Sequence, residues 1–213
     1  TPLLKQWGTY EFTVKMEPTK KTFLCYCDYE GPLNKIANEG CETPGETAMI
    51  GNIVTEAMID SWSDTRLNRQ NLVSLKALIK SEPLNMTIFN DTTAPGYASA
   101  HEIAGTIEPI GSFGACRFKL NSNGLAMIPT GRTGEVARTA LYLDDIYHLR
   151  IPKAQRDQFQ KLSEKYPPSD REILRNKMAY KLNGSWNPRV SESPSPSEFN
   201  KDLESHLTDL IMY

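Results

Sequence analysis

The sequence predicts an α+β protein: a mixed fold with a small antiparallel sheet and a helical C-terminal half. Three observations carry that expectation. Polar and apolar residues alternate upstream, as at Tyr10–Met16, where Phe12, Val14 and Met16 fall on one side. Downstream, Val136, Ala140, Leu143 and Tyr147 recur at i, i+4, i+7 and i+11, the stripe of an amphipathic helix. Helix punctuation also concentrates there: Pro152, the Pro167-Pro168 break, Ser169-x-x-Glu172 and Asn183-Gly184.

Taken in order, Tyr10–Met16 and the aromatic, β-rich Thr22–Tyr29 read as strands. Gly31-Pro32 opens a loop running to about Gly45. Met49–Met58 reads as a strand leading into a short helix, and Leu67–Ile79 as a helix through Leu67, Leu72, Leu75 and Leu78-Ile79. Asp91–Gly96 is rich in turn formers. His101–Ile110 and Ala115–Asn121 read as two more strands, with a turn at Asn121–Gly124. A second C-terminal helix starts at Pro152 and faces inward through Phe159 and Leu162; a third opens on the Ser169/Glu172 capping box and ends at Asn183-Gly184. After Val190 comes a Ser/Pro-rich linker, 191–199. The last segment, 200–213, carries Leu203, Leu207, Leu210 and Ile211 on one helical face, which needs either its own domain or a partner subunit to cover it.

A chain of 213 residues, 39% hydrophobic, can bury one sizeable core. No apolar run approaches the roughly 18 residues that span a bilayer. No basic-then-apolar leader opens at Thr1, so any leader is expected to be absent from this sequence. Cys25, Cys27, Cys41 and Cys116 are an even set without zinc-ribbon or thioredoxin spacing. They read as two disulfides in an oxidising compartment. Three connectivities are open; Cys27 with Cys41 and Cys25 with Cys116 is preferred, because residues two apart on a strand can reach different partners.

Formal net charge is −2, but unevenly spread. Residues 131–190 hold 12 Lys+Arg against 7 Asp+Glu, and the remainder 12 against 19. The whole-chain balance argues against strong non-specific DNA affinity. There is no P-loop, HExxH or dinucleotide fingerprint. Asn85, Asn90 and Asn183 match the Asn-x-Ser/Thr pattern.

An ordered set of short motifs resembles the bacterial endonuclease I family, which consists of secreted or periplasmic metal-dependent nucleases. The best is Gly-x-x-Ala-Arg-Thr-x-x-Tyr: Gly134, Ala137, Arg138, Thr139 and Tyr142. Leu149, Pro152-Lys153-x-Gln155 with Phe159, Lys165-Tyr166-Pro167 and Gly184-x-x-Asn187-Pro188-x-Val190 follow. Upstream, Thr22-Phe23-x-Cys25-x-Cys27, Cys41 and Phe113-Gly114-x-Cys116 fit the same order. The resemblance implies an endonuclease I-like domain over 1–190, with a ββα-metal region.

Three departures qualify it. The family's catalytic segment pairs a metal-binding Glu with a His that activates water; on alignment at Trp62, Glu56 fills the first position and Ala57 the second. The family's ligand-bearing helix, with its Asn metal ligand, reads as deleted, because His101-Glu102-Ile103-Ala104-Gly105 runs by way of Gly111 into Phe113. In the last helix the family's Glu-Arg-Asp-x-Arg becomes Leu174-Arg175-Asn176-Lys177-Met178, and Ile173 stands for a nearby Cys.

The resemblance with these losses implies a degenerate, catalytically inactive member with no cofactor. Its role would be a structural or interaction subunit of a bacterial cell-envelope complex, such as a secretion-system outer-membrane assembly, with Leu203, Leu207, Leu210 and Ile211 as docking candidates. One alternative is a Mg-dependent periplasmic or secreted endonuclease with a rearranged site on Glu56, His101 and Glu102. Another is a non-catalytic DNA-binding module with phosphate contacts from Arg138, Arg150, Lys153 and Arg156. His148 and His206 read as solvated helix residues.

Overall fold

The structure is a computed structural model, and it describes residues 13, 20–29, 36, 47–63, 68–107 and 118–193. The linker beyond residue 193, the 200–213 segment with Leu203, Leu207, Leu210 and Ile211, and both Cys41 and Cys116 lie outside the described residues.

The elements follow the α+β expectation. Strand β1 (Ala48–Asn52) leads through a three-residue turn into α1 (Glu56–Trp62) and then α2 (Arg69–Lys80). A 3-10 turn at Pro83–Asn85 delivers β2 (Met86–Asn90), which pairs antiparallel with β1, Ala48 opposite Asn90 and Asn52 opposite Met86. A short helix α3 (Ala94–Ala98) follows and packs on β1. A second sheet has the order β3 (Glu102–Ile107), β5 (Leu125–Pro129), β4 (Lys119–Leu120); β3 runs parallel to β5, and β4 antiparallel to it. Three helices complete the chain: α4 (Thr130–Tyr147), α5 (Lys153–Lys165) and α6 (Asp170–Asn183).

Strand β2 is buried at every position. A strand covered on both faces has no polar–apolar alternation, so nothing in its pattern marked it. Thr22–Tyr29 is corrected from a strand to a tight turn, held by bridges between Lys21 and Asp28 and between Tyr29 and Ile36. Of Tyr10–Met16 only Thr13 is described, and it is helical and buried, not strand. The aromatic residues of the turn were a core signal instead. Phe23, Phe89, Tyr97 and Phe118 form one cluster, with centroids 5.4 Å apart for Phe23–Phe89, 5.3 Å for Phe89–Tyr97 and 5.7 Å for Tyr97–Phe118. It ties the turn, β2 and α3 together.

Helix α4 also departs from its pattern. Every residue from Arg132 to Asp144 is buried, so it is a central helix and not one with a single apolar stripe. Its charged residues are buried because they are paired. Arg138 makes two 2.6 Å bonds to Glu172 of α6, and Glu135 accepts from Arg132 at 3.1 Å and from Arg175 at 2.7 Å. Gly134 explains how α4 sits so close to its neighbours: a Cβ there would fall 2.3 Å from the Tyr166 carbonyl oxygen.

The third helix obeys its punctuation. Ser169 caps α6 by accepting from the Glu172 amide at 3.3 Å, and Gly184 ends it in the left-handed conformation. The Glu172 carboxylate is committed to Arg138 rather than to the reciprocal capping bond. Asn187 donates to the Arg138 carbonyl at 3.1 Å, and its amide donates to Asn176 at 2.9 Å, which fastens the terminal turn to α4 and α6.

Candidate functional site

Strands β1 and β2 with helix α3 form a ββα arrangement, and the cleft beside it is the candidate site. A cleft of about 180 Å³ is bounded by Gly51, Asn52, Thr55, Glu56, Lys80, Phe89, Ala94, Tyr97 and Ala98. The expected deletion of the ligand-bearing helix falls between Gly111 and Phe113, outside the described residues. The second strand of the unit is β2, not the His101–Gly105 stretch, and Ala94-Pro95-Gly96 starts a helix despite its loop-like composition, with Pro tolerated in the first turn.

Glu56 is placed by local chemistry. Thr55 is the N-cap of α1: its hydroxyl accepts from the Met58 amide at 3.0 Å and donates to the Ala100 carbonyl at 2.5 Å. Behind it, the fully buried Asn85 side chain accepts from the Val54 amide at 2.7 Å and donates to the carbonyls of Val54 and Ile79 at 3.2 and 3.1 Å. One amide thus clamps the β1–α1 turn to the end of α2. Asn52 adds a bond to the Lys80 carbonyl at 3.0 Å. Gly51 leaves room for the Phe89 ring, which a Cβ would meet at 2.6 Å.

The Glu56 carboxylate is half-exposed and carries two ammonium partners. Lys80 Nζ donates at 2.9 Å and Lys76 Nζ at 3.4 Å. Lys76, more covered than Lys80, also binds Asp60 at 2.6 Å, one helical turn beyond Glu56. The Lys80 hydrogen bond is the main reason the Glu56 carboxyl sits below its ordinary pKa, and the Asp60 hydrogen bond the main reason the Lys76 ammonium sits above its own. Both charges are present at neutral pH.

Tyr97 is the side chain α3 turns toward this cleft. It is buried, and its hydroxyl donates to the Ile53 carbonyl at 2.6 Å. Burial, with the Glu135 charge, drives its pKa far upward, so the phenol stays protonated. A magnesium ion seeks oxygen ligands at about 2.0–2.1 Å and keeps several waters. The lining residues do not fit it: the one carboxylate is held by two ammoniums, and the Thr55 and Tyr97 hydroxyls are committed to backbone partners. Among the described residues, no group of three or more His, Cys, Asp or Glu side chains is placed to share a metal ion.

Other expected site residues fall elsewhere. Ala57 follows Glu56 in α1 and brings no titratable group. His101 and Glu102 do not line the cleft; the exposed His101 packs its ring over Gly124 at the start of β5, and Glu102 begins β3. The rearranged Glu56/His101/Glu102 site is therefore not assembled at this cleft. His148 is exposed but is the left-handed C-cap of α4 rather than a helix residue, and His206 lies outside the described residues.

Of the expected phosphate contacts, only Arg138 is taken out of reach by burial. Arg138 is buried against Glu172, Arg156 pairs with Asp144 and Asp145, and Lys153 pairs with Asp157 at 2.6 Å. Arg150 is exposed in the turn after α4, where its amide donates to the Trp62 carbonyl at 2.7 Å. Cys25 and Cys27 are disulfide-bonded. The Asn85 and Asn90 acceptor patterns are buried.

Sequence reasoning found Glu56 but missed Lys76, Lys80, Asn85 and Tyr97. The spacing of Lys76 and Lys80 puts them on one face of a helix, a weak signal. That this face meets Glu56 follows only from how α2 packs on α1.

Residues 96–194 match the family model described as Endonuclease I. Over 94 residues, 44% of this chain, the protein is 29% identical to Endonuclease-1 of Buchnera aphidicola subsp. Baizongia pistaciae (strain Bp). The alignment spans 38% of that relative's length. The family match begins inside α3, so Glu56, Lys76 and Lys80 lie outside it. The family and the relative are nucleases by description, and that overturns the expectation that this chain is a pseudonuclease and no enzyme. Over residues 96–194, the chain is similar to the endonuclease I family.

Proposed function

We propose that the chain is an endonuclease acting on nucleic-acid phosphodiesters at the cleft beside Glu56. The observation that carries this reading is the ionised Glu56 carboxylate at the rim of a ββα cleft, with the Lys80 ammonium 2.9 Å away. Hydrolysis needs a group that orients water and accepts its proton, and positive charge against the phosphate oxygens. Glu56 supplies the first and Lys80 the second. Glu56 is held below its ordinary pKa by the Lys80 bond, so it is a weak base at neutral pH and turnover is expected to be slow. Tyr97 stays protonated and shapes the cleft instead of accepting a proton.

The disulfide-bonded Cys25 and Cys27 support a periplasmic or secreted location in a bacterium. No helix among the described residues is long and apolar enough to cross a membrane. An additional role in an envelope or secretion complex draws its support from the Ser/Pro-rich linker and the Leu203, Leu207, Leu210 and Ile211 face. Truncation after Val190 tests that role: unchanged association with envelope proteins would end it.

The direct test is nicking of supercoiled plasmid by the oxidised protein, with and without Mg²⁺, beside Glu56→Gln and Ala57→His. The expected result is wild-type nicking that falls by about 10²–10⁴ in Glu56→Gln and rises in Ala57→His, which regains a base near neutral pKa. No wild-type nicking under any condition, beside an active family enzyme, would overturn the proposal.

A further inference from the structure

We propose that Lys80 and Lys76 are the resident cation of this cleft, standing against Glu56 where a divalent metal would stand, so that the site handles a phosphate oxygen without one. The geometry of the pairings carries the inference. Glu56 receives Lys80 on one oxygen at 2.9 Å and Lys76 on the other at 3.4 Å. Both carboxylate oxygens are thereby engaged before any ion arrives. A divalent cation at a metal–oxygen distance from Glu56 would lie within a few ångströms of two positive charges.

The lysines are built in, not incidental. Lys76 is 18% exposed and bridges Glu56 to Asp60, one turn along α1, at 2.6 Å. Lys80 ends α2, and its carbonyl is held by the Asn52 amide at 3.0 Å, which fixes the backbone that carries it at the cleft wall. The two lysines nonetheless differ in freedom. Lys80 is 50% exposed, and on an unbranched stem it can swing from Glu56 onto an entering phosphate oxygen. Lys76, tied to Asp60, stays to hold Glu56 ionised. A phosphate group thus meets one mobile ammonium and one fixed ion pair.

The same geometry states what the lysines suppress. Without their ammoniums, Glu56 and Asp60 are two carboxylates one helical turn apart on one face of α1, a spacing that suits a divalent ligand pair. Replacing both lysines should therefore create a metal site that the wild type lacks.

Mn²⁺ is the probe, followed by loss of its free paramagnetic resonance signal on titration with the intact chain. The wild type is expected to leave that signal unchanged through the millimolar range. Lys76→Met/Lys80→Met, checked for folding by its thermal transition, is expected to take up Mn²⁺, and adding Glu56→Gln to remove that uptake. Lys80→Met, altered only at the exposed lysine, should gain weaker uptake. Wild-type Mn²⁺ binding that is lost in Glu56→Gln would overturn the inference, as would folded lysine variants that bind none.

The catalytic consequence rests on the nuclease reading, and plasmid nicking separates the two. Nicking that persists in a chelator supports both. Nicking abolished by the chelator and restored by Mg²⁺ overturns the lysine-for-metal inference and leaves the nuclease. Absence of nicking removes the nuclease and leaves the Mn²⁺ titration to decide the cation.

Discussion

The two halves of the molecule use charge in opposite ways. In the core of the helical half the charges are dry. Arg138 and Glu172 meet in a two-bond pair that is almost wholly buried, and Glu135 lies among Arg132, Arg171 and Arg175. At the ββα cleft the charges are at the surface: Glu56, Asp60 and Lys80 are each about half-exposed. The motif residues that carry the family likeness belong to the first set. Gly134 admits the Tyr166 carbonyl, Arg138 binds that carbonyl and Glu172, and Asn187 closes on Arg138. The likeness therefore reads out how the helices lock together, while the proposed chemistry is placed on residues outside the matched segment.

That contrast can be broken most sharply at Arg138. Arg138→Met should cost about 3–5 kcal/mol, because it strands a buried carboxylate, whereas Arg138→Met with Glu172→Met should cost markedly less. Urea denaturation of the three proteins checks it; equal losses in single and double variants would show that the pair is not coupled.

Glu135 supplies a pH test. Burial raises its pKa, but the charges of Arg171, Arg132 and Arg175 outweigh that and hold it at about 2. A depressed carboxylate pKa adds stability that is full above its unfolded value of about 4.3 and is lost as pH falls toward 2. Stability should drop by a few kcal/mol across that interval. In Glu135→Gln the drop should flatten; an unaltered acid profile would assign it to other groups.

Gly134→Ala should cost about 1–3 kcal/mol by forcing α4 away from the Tyr166 carbonyl, read as a lowered thermal midpoint. Thr55→Ala removes the α1 cap and should cost about 1 kcal/mol. It should also reduce nicking more than stability alone explains, because Glu56 is the next residue. At the small end, Lys153→Ala breaks an exposed i, i+4 pair with Asp157 and should change stability by no more than about 0.5 kcal/mol.

Much of the helical half was legible in the sequence. Local signals end helices, and Ser169, Pro152 and Gly184 act within a turn of themselves. Glu56 was legible too, through its place before Trp62. The misread elements share one cause. Strand β2 is covered on both faces and the Phe23 turn is anchored by distant aromatic partners, so neither displays the periodicity of a half-exposed element, whereas α4 shows its helical period and hides only its all-round burial.

What the sequence by itself determined is the α+β class, the order of the three C-terminal helices, the caps of the last one and the family-like motifs, because these depend on neighbours within a few residues. Only the tertiary structure decided that β2 joins β1, that α3 closes the ββα unit, that Arg138 is buried rather than offered to phosphate, and that Lys76 and Lys80 reach Glu56 from 20 and 24 positions away. Such pairings depend on how helices pack side by side, and a charge at one position carries no local mark of the partner that packing will bring to it.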